Sequence, residues 1–282
     1  MAHSVESLSP ERIQYLEDLV KRGKAAAEVF TQFTQEEVDR IVRATVLAGL
    51  AAAQPLARLA IEETRLGVME DKVIKNMVAM EFVYDYIRDK RTVGAIREFP
   101  ERGMVEFAEP VGLIFSITPI TNPTSTVLFK CLMAIKTRNA VLFGPHPKAW
   151  RCCAEAMRIL YEAALEEGAP EGVFTCLAEP TVEDNVYLMH HKDVRLIDAT
   201  GGPGAVKAAY SSGKPALGVG PGNTPVYLEK TADLEMAVVD ILTSKTFDNG
   251  TICASEQTVV IDHEIYERAL SRFAALGAHV CD

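Results

Sequence analysis

"VGLIFSITPITNPTSTVLFKCLMAIKTRNAVLFG", residues 111–144, opens on an apolar run, passes a proline-bracketed loop into an amphipathic stretch, and closes on a second apolar run, "AVLFG" at 140–144. The alternation continues through "KAWRCCAEAMRILYEAALEEG" (148–168), "VFTCL" (173–177) and "VRLIDAT" (194–200). Short, nearly continuous apolar runs rich in β-branched residues are strands buried on both faces. Amphipathic helices between them require right-handed crossovers and a parallel sheet. The predicted fold class is α/β, a doubly wound sheet. Such sheets take ligands at the carboxyl ends of their strands, where helix N-termini point, so the loops after "GLIFSI", "VLFG" and "LIDAT" are the places to look.

Upstream, the first ninety residues read as helices. "SPERIQYLEDLVKRGKAAAEVF" has Ser9 as N-cap and Pro10 at the first helical position. Apolar residues recur three and four apart in "QEEVDRIVRATVLAGLAAAQPLARLAIEETRLG" and "DKVIKNMVAMEFVYDYIRD". The stripe Met77, Met80, Phe82, Tyr84 and Tyr86 is expected to be core and interface packing rather than a cofactor box. Composition narrows the function classes. The 282 residues are 48% hydrophobic and 24% charged, with mean hydropathy +0.07, and form a globular chain with room for a substantial core. Acidic residues exceed basic ones by 39 to 29, a net charge of −10 with no basic block, which argues against nucleic acid as a partner. No apolar run is long enough to span a bilayer and "MAHSVESLSPERIQ" has no leader pattern, so a cytoplasmic protein with no membrane partner is expected. None of the six cysteines stands in C-x-x-C spacing, and no metal site is expected. Cys152 and Cys153 read as helix packing, and His190 and His191 lack a nearby carboxylate pair.

Four segments can carry chemistry. "ITPITNPTST" (117–126) fixes Thr121 and Asn122 between prolines; the Asn122 amide is either a donor to a substrate oxygen or the N-cap of the helix beginning at Pro123. "DATGGPGAVKAAYSSG" (198–213) lets backbone approach a pyrophosphate at a helix N-terminus, or is an ordinary strand-to-helix turn; its Gly201, Gly202 and Gly204 do not make the G-x-G-x-x-G fingerprint. "GVGPGNTPVY" (218–227) is a second glycine cluster leading into a strand and the helix "ADLEMAVVDILTSKTF". "FDNGTICASEQ" (247–257) follows, with an Asn249-Gly250 turn that puts Cys253 on a loop as either a reachable thiol or a small buried filler.

In order, "TPITNPTSTVLFK", "PHPKA", "ATGGPGAVKAAYSSGKPALGVGPGNTP" and "SKTFDNGTICASEQ" resemble the coenzyme-A-acylating aldehyde dehydrogenases, especially the N-terminal half of bifunctional aldehyde-alcohol dehydrogenases, across essentially the whole chain. The resemblance implies a Rossmann-like NAD-binding domain of the aldehyde dehydrogenase fold at 1–228, with the N-terminal helices, and the start of an incomplete catalytic domain at 229–282. It implies Cys253 as nucleophile, with Ile117, Thr118, Pro119, Ile120, Thr121 and Asn122 lining the nicotinamide side and Gly202 and Gly220 contacting NAD. Asn122 would help the Cys253 backbone amide hold the thiohemiacetal oxyanion. Hydrolytic relatives place their asparagine where Thr121 stands, so either residue is a candidate donor. Coenzyme A would be co-substrate and acetaldehyde the first choice of aldehyde, with propionaldehyde, succinate semialdehyde and sulfoacetaldehyde as others. The parent would be a homo-oligomer, and this chain a fragment of it.

Two departures sharpen the expectation. Hydrolytic members carry a water-activating glutamate where this chain has Val219, which takes no proton, so thiolysis by coenzyme A is expected over hydrolysis. Gly144 stands where those members have a lysine toward the adenosine ribose, leaving the His146 region as a substitute. The competing readings are a hydrolytic aldehyde dehydrogenase and a catalytically silent nucleotide-binding or assembly protein.

Overall fold

The computed structural model describes residues 8–281, so the first half of the expected leaderless N-terminus lies outside the described residues. Five helical segments come first: α1 (Pro10–Phe30), α2 (Gln35–Ala51), α3 (Ala53–Thr64), α4 (Met69–Met77) and, after a π turn at Val78–Phe82, α5 (Val83–Ile87). Their starts follow the local chemistry. The Ser9 hydroxyl accepts from the Arg12 amide ahead of Pro10, and Thr34 and Glu37 form a reciprocal capping box at α2. α2 buries Val38, Ile41, Val42 and Val46, the face its periodicity predicts. The π turn breaks that regularity further on. Met80 is buried and Tyr84 packs against the core, but Met77, Phe82 and Tyr86 are 41, 64 and 73% exposed, so the expected packing stripe is only partly in the core. The extra residue of the π turn shifts the helical phase and carries Phe82 and Tyr86 off the buried face, whereas Met77 lies ahead of it at the end of α4.

An antiparallel hairpin, β1 (Gly94–Phe99) with β2 (Met104–Ala108), leads to the main sheet. This comprises β3 (Leu113–Thr118), α6 (Pro123–Lys136), β4 (Ala140–Pro145), α7 (Trp150–Glu166), β5 (Phe174–Cys176), α8 (Val182–His190), β6 (Val194–Thr200), α9 (Pro203–Tyr210) and β7 (Ala216–Val219). The strands are parallel in the order β5-β4-β3-β6-β7. The chain winds outward from β3 to β5, returns to β6 beside β3, and winds the other way, which is the doubly wound fold with its switch point between β3 and β6. Helices α6 and α7 cover one face, with α2 and α3 outside them, and α1 and α8 cover the other. This explains why β4 is apolar throughout. Strand β7 was not legible as a strand, since the four residues of "ALGV", half-buried or exposed at the sheet edge, show no apolar–polar alternation in the sequence.

A second, smaller unit follows. β8 (Thr224–Leu228) pairs in parallel with β9 (Glu256–Ile261) rather than with the main sheet; α10 (Leu234–Thr246) crosses between them and α11 (Tyr266–Ala275) follows. Leu228, Ile241, Ile265 and Ala269 form a core separate from the main one. No single helix among the described residues is long and apolar enough to cross a membrane; α2 and α3 qualify only as a pair bent by 61°, and Val38, Ile41 and Leu56 in it are core residues.

Candidate active site

At the switch point, Lys130 of α6 is buried and its Nζ donates to the carbonyls of Ile117 (2.9 Å) and Asp198 (3.0 Å), tying together the carboxyl ends of β3 and β6. Burial pushes this lysine down to about 8, with Asp198 opposing the shift. Ile117 and Thr118 lie inside β3 with buried side chains, the Thr118 hydroxyl against Cys153 Sγ at 3.5 Å. Pro119, Ile120, Thr121 and Asn122 form the half-buried loop beyond.

Asn122 precedes α6 but its side chain makes no capping bond. Its Oδ1 accepts from Lys75 Nζ (2.7 Å) on α4, and its Nδ2 donates to Thr121 Oγ1 (3.0 Å) and to the Thr251 carbonyl (3.3 Å). The amide therefore spans from the helical region to the cysteine loop, and the N-cap reading of its side chain is set aside.

Beyond β6, Gly202 is the N-cap residue of α9 with Pro203 at the first helical position. A Cβ built on Gly202 meets nothing within 4 Å, and one on Gly220 meets only Val206 Cγ2 at 4.0 Å. Packing within the chain does not demand glycine at either position, which leaves open, backbone-lined surface at the N-terminal end of α9. The Gly201 amide donates to the Val219 carbonyl (3.0 Å), joining this turn to the second glycine cluster. Gly144 is different: a Cβ there would lie 2.5 Å from Asn185 Oδ1 and 2.7 Å from Phe115 Cζ, so no lysine fits. His146 sits on the exposed loop after β4, its Nδ1 accepting from the Lys148 amide.

The cysteine loop is held by charge. After α10 the chain turns through Asp248, Asn249 and Gly250 with φ of 49, 55 and 69°. Two consecutive non-glycine residues in this region cost about 1–2 kcal/mol each. The Asp248 carboxylate offsets that cost. It is fully buried and accepts from the Val68 amide (2.6 Å), Lys72 Nζ (3.1 Å), Thr251 Oγ1 (2.5 Å) and Lys75 Nζ. Burial alone would raise its pKa; the bonds from Lys75, Thr251 and Val68 outweigh this and hold it below the ordinary carboxyl value. Lys75 is pushed down to about 8, chiefly by burial, with Asp248 opposing.

Cys253, three residues past the turn, is half-buried and its thiol has no hydrogen-bond partner among the described residues. Gly222 presses against it: a Cβ there would lie 1.8 Å from the Cys253 carbonyl oxygen, so only glycine lets the β7–β8 connection run beside the cysteine loop. Three segments far apart in sequence thus converge: the Thr121–Asn122 loop, the Gly220–Gly222 connection and the Cys253 loop. Lys72, Lys75 and Asp248 were not singled out in the sequence, where "DKVIKN" reads only as part of an amphipathic helix, and Gly222 was one glycine within the second cluster. The other cysteine and histidine pairs stay outside. Cys152 and Cys153 are buried in α7, and His191 Nε2 lies 2.9 Å from Glu17. Among the described residues no group of three His, Cys, Asp or Glu side chains is placed to hold a metal.

A doubly wound sheet with glycine turns at its switch point, meeting a thiol loop from a small second unit, is the arrangement of the aldehyde dehydrogenases. The chain belongs to that family, whose model matches residues 8–280. It is similar to the bifunctional aldehyde-alcohol dehydrogenase of Escherichia coli, 50% identical over 265 residues that make up 94% of this chain and 30% of that protein. It superposes on an acetylating aldehyde dehydrogenase from Geobacillus thermoglucosidasius with TM-score 0.91 and 49% identity, covering 96% of this chain and 60% of that one. It also matches a Rhodopseudomonas palustris propionaldehyde dehydrogenase solved with bound CoA and an acylated cysteine, at TM-score 0.82 and 30% identity over 95% of this chain and 60% of that one. The chain thus spans 30% of the length of the bifunctional relative.

Proposed function

We propose that the protein is an NAD-dependent, coenzyme-A-acylating aldehyde dehydrogenase, and that Cys253 is its nucleophile. The observation that carries this reading is the half-buried, unpartnered Cys253 thiol on a charge-fixed turn, pressed against the Gly220–Gly222 connection.

The Cys253 thiolate adds to the aldehyde carbon, and the carbonyl π electrons move to oxygen, giving a thiohemiacetal oxyanion. The Cys253 backbone amide and a side-chain donor from Thr121 or Asn122 stabilise that oxygen. NAD, when bound, supplies the hydride acceptor that leaves Cys253 as a thioester. Ile117 to Asn122 would hold its nicotinamide end, and the open surface over Gly202 and Gly220 fits its phosphates. Coenzyme A then attacks the thioester through sulfur and expels the Cys253 thiolate; all steps are reversible. Val219 ends β7 beside this site with no proton-accepting group, which favours thiolysis over hydrolysis.

Acetaldehyde is the proposed substrate, in keeping with the relatives named acetylating or aldehyde-alcohol dehydrogenases. We assign residues 1–228 to the cofactor-binding domain and 229–282 to the start of the catalytic domain; the two separate cores support a division into two units, with β8 and Leu228 packing in the second. A cytoplasmic homo-oligomer is proposed as well; the exposed Met104, Val105 and Phe107 of the β1–β2 hairpin support a partner copy.

The test is NADH formation from acetaldehyde by the full-length protein, with and without coenzyme A. CoA-dependent NADH lost in Cys253→Ala is the expected result. CoA-independent acid formation would point to the hydrolytic reading, and activity retained by Cys253→Ala would exclude the thiol mechanism.

A further inference from the structure

Lys72 and Lys75 stand one turn apart on α4, 2 and 9% exposed, and both donate to the single carboxylate of Asp248 in the cysteine loop. Each also grips one of two consecutive residues in the loop after β3. Lys72 Nζ donates to the Thr121 carbonyl (3.1 Å), and Lys75 Nζ donates to Asn122 Oδ1 (2.7 Å). One helix turn therefore sets the position of the oxyanion loop relative to the nucleophile loop.

The chemistry of the groups fixes the direction of every bond. An ammonium has no acceptor, so the end of the Asn122 amide facing Lys75 is its oxygen. A carbonyl has no donor, so the end facing Thr251 is its nitrogen, 3.3 Å away. The Nδ2 protons are then committed to the Thr251 carbonyl and to Thr121 Oγ1, at 3.0 Å. The Thr121 hydroxyl oxygen accepts from Asn122, and its own proton has no acceptor among the described residues. Between the two candidate donors, the one with a free proton is Thr121.

We propose that Lys75, clamped by Asp248, is a positioning residue that orients the Asn122 amide and, through it, presents the Thr121 hydroxyl as the side-chain donor to the oxyanion formed on Cys253. This rests on the proposed aldehyde dehydrogenase activity and deepens it. Thr121 is the catalytic residue of the chain of contacts; Asn122, Lys75 and Asp248 act through it.

The test uses the full-length protein and steady-state kinetics for acetaldehyde, NAD and coenzyme A. Lys75→Met leaves Asp248 paired with Lys72, the Val68 amide and Thr251, so the loop keeps a charge-balanced anchor. Asn122→Asp is nearly isosteric and still accepts from Lys75, but has no proton for Thr121 when ionised. Thr121→Val removes the hydroxyl. Removal of one oxyanion donor typically costs about a hundredfold or more in kcat. Thr121→Val should show that loss, Thr121→Ser should recover most of it, and Lys75→Met and Asn122→Asp should each lose about tenfold. In all of them KM for NAD should stay within about twofold and alkylation of Cys253 by iodoacetamide should keep its wild-type rate. Lys75→Met combined with Thr121→Val should be no worse than Thr121→Val alone.

The pH profile adds a readout that a merely structural lysine would not move. The charged groups around Lys75 are Lys72 and Asp71 on α4 and Asp248 in the cysteine loop. Loss of the Lys75 proton near pH 8 weakens its grip on Asn122, so wild-type kcat should fall through that region and the fall should be absent in Lys75→Met. Wild-type kcat in Lys75→Met and Asn122→Asp, or multiplicative losses in the double variant, would overturn the proposal while leaving the dehydrogenase reading intact. A wild-type protein with no CoA-dependent activity would overturn both. If Lys75→Met does not fold, Asn122→Asp and the Thr121 pair decide the matter alone.

Discussion

Strands β4 and β9 are each six residues long; β4 buries all six and β9 buries none. The same contrast runs through the two units they belong to. The main sheet is filled from both faces by Phe115, Leu132, Leu142, Phe143 and Phe174, whereas among the described residues the second unit has five buried apolar side chains, Leu228, Val238, Ile241, Ile265 and Ala269. Apolar burial at about 25 cal/mol per Å² holds the first unit rigid without help. The second cannot fix a thiol to the fraction of an ångström that catalysis needs by packing alone. Its cysteine loop is instead fixed by directed polar contacts from the first unit: the Lys72–Asp248–Lys75 cluster, the Asn122 amide and the close passage of Gly222.

The largest effect that tests this contrast is in the cores themselves. Phe143→Ala empties the fully buried centre of β4 and should cost about 3–5 kcal/mol, lowering the urea midpoint of the whole chain. Ile241→Ala, in the small core, should cost about 2 kcal/mol, because the cavity opens near solvent and can close. In hydrogen exchange, amides of β8, β9 and α10 should exchange faster in that variant while those of β3 and β4 keep their protection. Equal costs, with both sheets opening together, would mean that the two units fold as one and that the contrast is only one of surface area.

Next is the ionic anchor. Asp248→Asn leaves two buried ammonium groups without a counter-charge, and breaking a buried pair this way typically costs about 3–5 kcal/mol. The loss should fall on the cysteine loop, seen as faster exchange at 247–255, with a smaller change in the main sheet. Its pH signature follows from the two shifts. Asp248 is held below its ordinary value of 3.8, so its contribution is present above that pH and is lost as pH falls through the lowered value. Lys75 is pushed down to about 8 in the fold from its ordinary 10.5, so the unfolded chain binds more protons between those values and this lysine makes stability rise from pH 8 toward 10.5. Lys75→Met should flatten that alkaline rise; an unchanged slope would place the charge penalty elsewhere.

How much of this was legible in the sequence follows the same division. The strands of the main sheet were readable because burial on both faces leaves an apolar run, and the Asn249-Gly250 turn because those residues tolerate positive φ. Strand β7 and the β1–β2 hairpin were not. Their residues are half-exposed and carry glycine or charge, so no period of two survives in "ALGV", "GAIREF" or "MVEFA". The lysine anchor was hidden for a different reason. A buried lysine in "DKVIKN" is indistinguishable from a solvated one until Asp248 is brought to it across 176 and 173 residues of chain. Likewise, Asn122 offered two readings by local chemistry, and only the arrival of Lys75 on one side and Thr251 on the other separates them.

The smallest expected change in stability comes with a large change in chemistry. Val219 ends β7 opposite Thr200 of β6, with its side chain 51% exposed and its carbonyl accepting from the Gly201 amide. Val219→Glu touches no core residue and should leave the urea midpoint within about 0.5 kcal/mol of wild type. It places a carboxylate on the strand end that leads into the Gly220–Gly222 connection beside Cys253. A base positioned there can take the proton of an attacking water, a contribution worth about a hundredfold or more when geometry is right. The variant should therefore release free acid from the Cys253 thioester in the absence of coenzyme A, with thiolysis still dominant when coenzyme A is saturating. Measuring acetate against acetyl-CoA separates the outcomes. Acid formation at unchanged stability would mean that the missing base sets the choice of acyl acceptor, and that this choice sits in the polar region around the thiol rather than in the packed sheet that supports it. No gain in acid would mean that the loop excludes water by its shape, and that Gly222's approach to Cys253, rather than the valine, selects the thiol of coenzyme A.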